Sequence, residues 1–143
     1  MKILILCTGN SGRSQMAEAI LRSCARDHPT RTLEIHSAGT NPAREVHPLA
    51  LRVMKEIGID MGGHYPKPVE RFLGSSFDYV ITVCDNAQST CPAFRGQVGK
   101  RLHIRFDDPS AAPAADQLVV FRRVRDEIRE VFPALFSGIT QHE

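Results

Sequence analysis

The chain has 143 residues, with 18 lysines and arginines against 16 aspartates and glutamates and a formal net charge of +2. That length suits a single domain over 1–143 with an ordinary core, and the near-balance of charge gives no nucleic-acid footprint. No apolar run approaches the ~18 residues of a membrane span and no signal-peptide pattern precedes the first strand, so no membrane contact and a cytoplasmic location are expected. In that reducing compartment the four cysteines are expected to be catalytic, metal-binding or buried rather than permanently bridged.

Ile3-Leu4-Ile5-Leu6 makes residues 2–7 a strand buried on both faces. The segment Cys7-Thr8-Gly9-Asn10-Ser11-Gly12-Arg13-Ser14 follows directly. Gly9 and Gly12 let the backbone curl so that successive N–H groups point inward, and such a nest at a helix N-terminus binds anions. Arg13 adds a planar fork of donors matched to two oxygens of one anion. Cys7 lies beneath that anion, where amides and a guanidinium favour the thiolate, the nucleophilic form of the residue. The loop therefore reads as a holder for a tetrahedral oxyanion with a sulfur nucleophile at its base.

Ser14 to about Arg26 reads as a helix with Ala17, Ile20, Leu21 and Cys24 on one side, which makes Cys24 a small core residue. Leu33 to Ser37 is a second strand, broken by Ala38-Gly39-Thr40-Asn41-Pro42. His47-Pro48 opens a helix that runs through Ile57 and that Gly58 ends. Phe77 to Cys84 is a third strand, rich in β-branched residues, and Leu102 to Phe106 a fourth, closed by Asp107-Asp108-Pro109. A last helix spans about Ala114 to Ser137 on the stripe Phe121, Val124, Ile128, Val131 and Leu135, with Pro133 bending or fraying its end. Strands separated by helices imply an α/β fold, a parallel sheet covered on both faces. In such sheets ligands sit at the carboxyl ends of the strands, where Cys7, Ser37, Cys84 and Asp108 all fall.

Cys84 and Cys91 stand six residues apart across Asp85-Asn86-Ala87-Gln88-Ser89-Thr90. That spacing matches neither a zinc knuckle nor a thioredoxin-type redox pair, and no metal site is expected. The two can bridge if the segment folds back, or they can be incidental thiols. Oxyanion chemistry separates the cases. Hydrolysing a phosphate ester takes one thiolate and no electrons; reducing an oxyanion by two electrons takes two thiols that end as a disulfide, and a third lets that disulfide move outward. Cys7, Cys84 and Cys91 supply that count. Asp108, fixed by Pro109, is the candidate acid for the departing oxygen, ahead of Asp107.

Together, the Cys7-to-Ser14 loop, His36-Ser37-Ala38-Gly39, Cys84 with Cys91 and Asp107-Asp108-Pro109 resemble the thioredoxin-coupled arsenate reductases, which share the low-molecular-weight tyrosine phosphatase fold. The likeness covers essentially the whole chain. It implies a three-layer α/β/α domain with a four-stranded parallel sheet, arsenate or a phosphate-like oxyanion as ligand, and no bound cofactor, with reducing equivalents taken from thioredoxin. It also implies an order of steps: Cys7 attacks arsenic while Asp108 protonates the leaving oxygen, Cys84 attacks Cys7 as arsenite leaves, and Cys91 then attacks Cys84. Ser14 is placed to donate to the Cys7 thiolate, and Asn10 to brace the loop. Some members hold potassium near this asparagine with a glutamate, a serine and an aspartate. Asn10, Glu18 and Ser37 match, while the aspartate position falls near Lys67, whose ammonium is expected to replace the metal.

Two other readings remain open on the residues alone: a phosphatase of the same fold, and a non-catalytic oxyanion-binding or redox-sensing module. Ser110-Ala111-Ala112 after the Asp-Pro pair lacks the aromatic side chain expected of a phosphotyrosine slot. A small near-neutral domain of this kind is expected to be a monomer.

Overall fold

The computed structural model describes residues 1–28, 32–84, 94 and 96–141. Strands β1 (Lys2–Cys7), β2 (Glu34–Gly39), β3 (Ser76–Thr82) and β4 (Gln97–His103) form one all-parallel sheet in the order β2-β1-β3-β4. Helix α1 (Arg13–Arg26) packs on β1 and β2, and both α1 and α2 (Pro48–Glu56) pack on α3 (Gln117–Gln141). Ile3, Leu4, Ile5 and Leu6 are all fully buried. Because successive strand residues point to opposite faces, both faces of the sheet are covered, which makes the domain a three-layer α/β/α sandwich.

The strand order places the site. The chain leaves β1 toward β2 on one side and later returns to β3 on the other, so the carboxyl end of β1 is the point where the winding reverses. At such a switch point the adjoining loops diverge and leave a crevice. Cys7 is the last residue of β1 and stands at that crevice.

Several element boundaries differ from the sequence reading. The fourth strand runs over Gln97–His103, not Leu102 to Phe106. It is a sheet edge whose Gln97, Gly99, Lys100, Arg101 and His103 are exposed, so it lacks the apolar alternation by which strands are recognised. The second strand continues through Ala38-Gly39 because both pair with β1, at Leu6 and Cys7. The third ends at Thr82, leaving Val83 and Cys84 just beyond it. Helix α3 runs on through Pro133 to Gln141; Phe121, Val124 and Ile128 are buried as expected, but beyond them the buried stripe continues with Phe132, Phe136 and Ile139 rather than Val131 and Leu135. Core packing on both sides of the proline outweighs the one hydrogen bond it removes. Cys24 is only half-buried at the edge of the core, and burial pushes its thiol up. Among the described residues no helix is long and apolar enough to cross a membrane.

Candidate active site

The loop between β1 and α1 is held open by its own carbonyl groups being drawn outward. The carbonyls of Cys7, Thr8, Gly9 and Ser11 accept the N–H groups of Thr40, Asn41, Ala43 and His47, at 3.3, 2.9, 2.9 and 2.8 Å. Gln15 Nε2 donates to the Asn10 carbonyl at 3.1 Å, and Met16 N–H to that of Gly12 at 2.9 Å. With the carbonyls turned to protein, the loop amides face the cavity. Gly12 caps α1 without a side-chain bond, so the helix's first N–H groups face the same way. The segment 40–47 fits against the loop only because position 39 is glycine: a Cβ there would collide with the Thr8 carbonyl oxygen and lie 3.0 Å from Asn10 N.

Asn10 fixes the polarity of the network beneath. It is fully buried and adopts φ 50°, a left-handed conformation that asparagine tolerates better than most residues. The Lys67 backbone N–H reaches its side chain at 2.9 Å, and an N–H can only donate, so the atom it meets is Oδ1. Nδ2 therefore faces the other way and donates to Ser14 Oγ at 2.8 Å and Ser37 Oγ at 2.9 Å. Each hydroxyl, having accepted, is free to donate onward. Ser14 lies 2.9 Å from Cys7 Sγ, and Ser37 donates to Glu18 Oε1 at 2.6 Å. The Asn10 N–H adds a second donor to Cys7 Sγ at 3.3 Å. Two donors thus converge on the one sulfur.

Above Cys7 opens a cavity of about 410 Å³, lined by the loop from Cys7 to Arg13 together with Asn41, His47, Asp108, Ser110 and Phe121. Arg13 is almost wholly buried; Nη1 donates to the Phe106 carbonyl at 3.0 Å, and Nη2 stands 3.8 Å from Asp108 Oδ2. Asp108 also caps the short turn Pro109–Ala111: Oδ1 accepts from Ser110 N at 3.0 Å and Ser110 Oγ at 2.7 Å. The residue is thus a turn aspartate through one oxygen and a cavity residue through the other. Asp107 points away, paired with Arg123 at 3.0 Å and Arg105 at 3.2 Å.

Glu18, Ser37 and Lys67 meet behind the loop. Buried Glu18 is surrounded by Arg22 at 2.9 Å, Lys67 Nζ at 3.8 Å and His64 Nδ1 at 3.7 Å, besides the Ser37 hydroxyl. A buried carboxylate is tolerated only with such compensation. Burial pulls the Lys67 ammonium and the His64 imidazolium toward their neutral forms, and Glu18 opposes this in both.

Cys84 is fully buried two residues past β3, its Sγ 3.9 Å from the Leu6 carbonyl and so beside the end of the strand that carries Cys7. It is disulfide-bonded, whereas Cys7 and Cys24 are free thiols. Cys91 and the Asp85-to-Thr90 segment lie outside the described residues.

The structure therefore brings together Cys7, the loop from Thr8 to Ser14 and Asp108 at the cavity, and Ser37, Glu18 and Lys67 in the supporting network. Sequence reading missed Gln15, Asn41, His47, His64 and Phe121. The local signals at His47, Asn41 and Phe121 were of a helix start, a strand break and an apolar helix stripe, and none marked a site. Gln15 and His64 meet each other across 49 residues, a contact no local pattern shows.

The profile of the family described as low molecular weight phosphotyrosine protein phosphatase matches residues 2–143. An arsenate reductase of Halalkalibacterium halodurans is 42% identical over 128 residues, covering 88% of each chain. The solved structure of an arsenate reductase in its phosphate-binding state superposes with a TM-score of 0.79 at 31% identity, over 96% of this chain and 98% of that one. A thioredoxin-dependent arsenate reductase of Corynebacterium glutamicum gives a TM-score of 0.61 at 26% identity, over 99% of this chain and 63% of that one.

Proposed function

Since this chain belongs to the low molecular weight phosphotyrosine protein phosphatase family, we propose that it uses the family's oxyanion loop as an arsenate reductase. The observation that carries the reading is the convergence at one crevice of an amide-lined loop, a sulfur with two donors, and a second buried cysteine beside the same strand end. Its likeness in sequence and structure to arsenate reductases supports the same chemistry.

In this account arsenate takes the place of the anion the loop amides and Arg13 are arranged to hold. Cys7 thiolate attacks arsenic; an As–O bond breaks, and the departing oxygen takes the Asp108 proton and leaves as water. Cys84 thiolate then attacks Cys7 sulfur. The S–As bonding pair passes to arsenic, which leaves as arsenite, and the two sulfurs are oxidised to a disulfide. Cys91 attacks Cys84, restores Cys7 and leaves a Cys84–Cys91 disulfide for thioredoxin to reduce. Each exchange needs a thiolate in line with a sulfur. The disulfide-bonded state of Cys84 beside a free Cys7 fits the oxidised end of this sequence. Thioredoxin as donor is supported by the likeness to the thioredoxin-dependent arsenate reductase of Corynebacterium glutamicum.

Potassium does not fit the network behind the loop as an added cation. Lys67 Nζ already stands 3.8 Å from Glu18 Oε1 and donates to the Tyr65 carbonyl at 3.0 Å, so an ammonium supplies the charge a metal would bring.

The test is arsenite production with thioredoxin and its reductase in the parent and in Cys7→Ser, Cys84→Ser and Cys91→Ser. The expected result is no product without Cys7 or Cys84, and a single turnover without Cys91. Undiminished multiple turnover in Cys84→Ser would overturn the relay. Steady aryl phosphate hydrolysis with no arsenite from the parent would replace the reductase reading with a phosphatase.

A further inference from the structure

His47 borders the cavity above Cys7, yet neither the loop motif nor the cysteine relay makes use of it. Its ring is pinned from two sides. Nδ1 accepts the Leu49 N–H at 3.1 Å, capping α2, and the ring lies tilted against Phe121 with centroids 4.6 Å apart. A ring nitrogen that accepts from an amide carries no hydrogen, so the neutral ring bears its proton on Nε2. Nδ1 is turned to the backbone of α2, and Nε2 makes no hydrogen bond to any described residue; nor is it sealed off, since no fully buried side-chain polar atom among the described residues lacks a partner. With the ring on the cavity wall and Nδ1 committed to α2, Nε2–H is the polar group left to meet a ligand there.

The surroundings keep that donor neutral. Protonation would set a second hydrogen, on Nδ1, against the Leu49 N–H and break the cap. Burial also disfavours the charged ring, against the pull of Asp108. The charged or titratable groups lining the cavity with His47 are Asp108 from the turn after β4, Arg13 from α1 and Cys7 from β1, while Phe121 of α3 and Leu49 of α2 bring no charge.

We propose that His47 is an additional oxyanion-binding residue, a neutral Nε2–H donor that hydrogen-bonds a tetrahedral anion already held by the loop amides and Arg13. It adds affinity without a second cation beside Asp108, the group that has to deliver a proton. The proposal rests on reading the cavity as an oxyanion site.

Two isosteres separate the cap from the donor. His47→Asn keeps an acceptor for the Leu49 N–H and removes Nε2–H, whereas His47→Gln places an amide N–H near Nε2 and gives up the cap. The probe is inorganic phosphate, its dissociation constant read from protection of Cys7 against iodoacetamide, with the Cys7 peptide followed by mass spectrometry. His47→Asn is expected to melt with the parent and bind phosphate about ten- to a hundredfold more weakly, the effect of losing one hydrogen bond to a charged group. That ratio is expected to be equal at about pH 6.5 and about pH 8.5, because a neutral donor does not titrate away. His47→Gln is expected to melt lower and to keep most of the affinity. Parent-like binding in His47→Asn, equal loss in both variants, or a ratio that vanishes as pH rises would each overturn the proposal. No arsenate turnover enters the measurement, so failure of the reductase reading would leave this test intact.

Discussion

Replacing Asn10 with alanine is expected to destabilise the protein by more than the size of the side chain suggests. Ser37 would still donate to Glu18, Ser14 would keep Cys7, and Gln15 would keep the carbonyls of Asn10 and Tyr65. The part-buried Lys67 N–H would lose its acceptor, at a cost of up to about 1–3 kcal/mol, the figure for a buried donor left unpaired. Alanine would also have to hold φ 50°, at about 1–2 kcal/mol for an ordinary L-residue. The sum, up to about 2–5 kcal/mol, is a large share of the roughly 5–15 kcal/mol that keeps a domain folded. With a urea slope of about 2 kcal/mol per molar, the unfolding midpoint should fall by up to about 1–2.5 M. Asn10→Gly separates the two parts: it relieves the backbone but leaves Lys67 unpaired. It should be more stable than Asn10→Ala by about 0.5–1 kcal/mol, although glycine is normally the less stable choice. The reasoning is refuted if the alanine variant unfolds within about 0.3 M of the parent, or if it is the more stable of the two.

Gly39→Ala should lower the melting temperature and weaken phosphate protection of Cys7 together, because the added methyl meets backbone at Thr8 that is tied into the loop; the cost of such overpacking is about 1–3 kcal/mol. Normal protection in that variant would show that segment 40–47 does not shape the loop. Burial lowers the proton affinity of both His47 and His64, so the unfolded chain binds more protons than the folded one near and below about pH 6.5. Stability should therefore be full above that range and fall as pH drops through it. Urea midpoints at about pH 7.5 and about pH 5.5 should show a shallower loss in His64→Gln than in the parent. Exchanging sodium for potassium at constant ionic strength should leave the arsenate reduction rate unchanged, and a clear stimulation would mean that Lys67 does not supply the charge beside Glu18.

The chemistry was legible in the sequence where it is local. The apolar run into Cys7, the glycines on either side of Asn10, Arg13 and the Asp108-Pro109 pair are contiguous, and each residue type has one physical use at its position. The strand β1 and helix α1 were equally legible, because full burial and helical periodicity leave their marks within a few residues. The edge strand β4 was displaced in the reading because a strand at a sheet border is polar and exposed, and its identity lies in its partner β3.

What the amino-acid order determined by itself was a nucleophilic sulfur in an anion-holding loop at the end of a buried parallel strand. Only the tertiary structure decided how that loop stays open. Its carbonyls are drawn outward by amides some thirty residues further along the chain. The orientation of the Asn10 carboxamide, and with it the donor that meets Cys7, is set by a backbone N–H at position 67. Hydrogen-bond direction in a buried network depends on which distant group can only donate, and that is a property of the folded packing rather than of any stretch of chain.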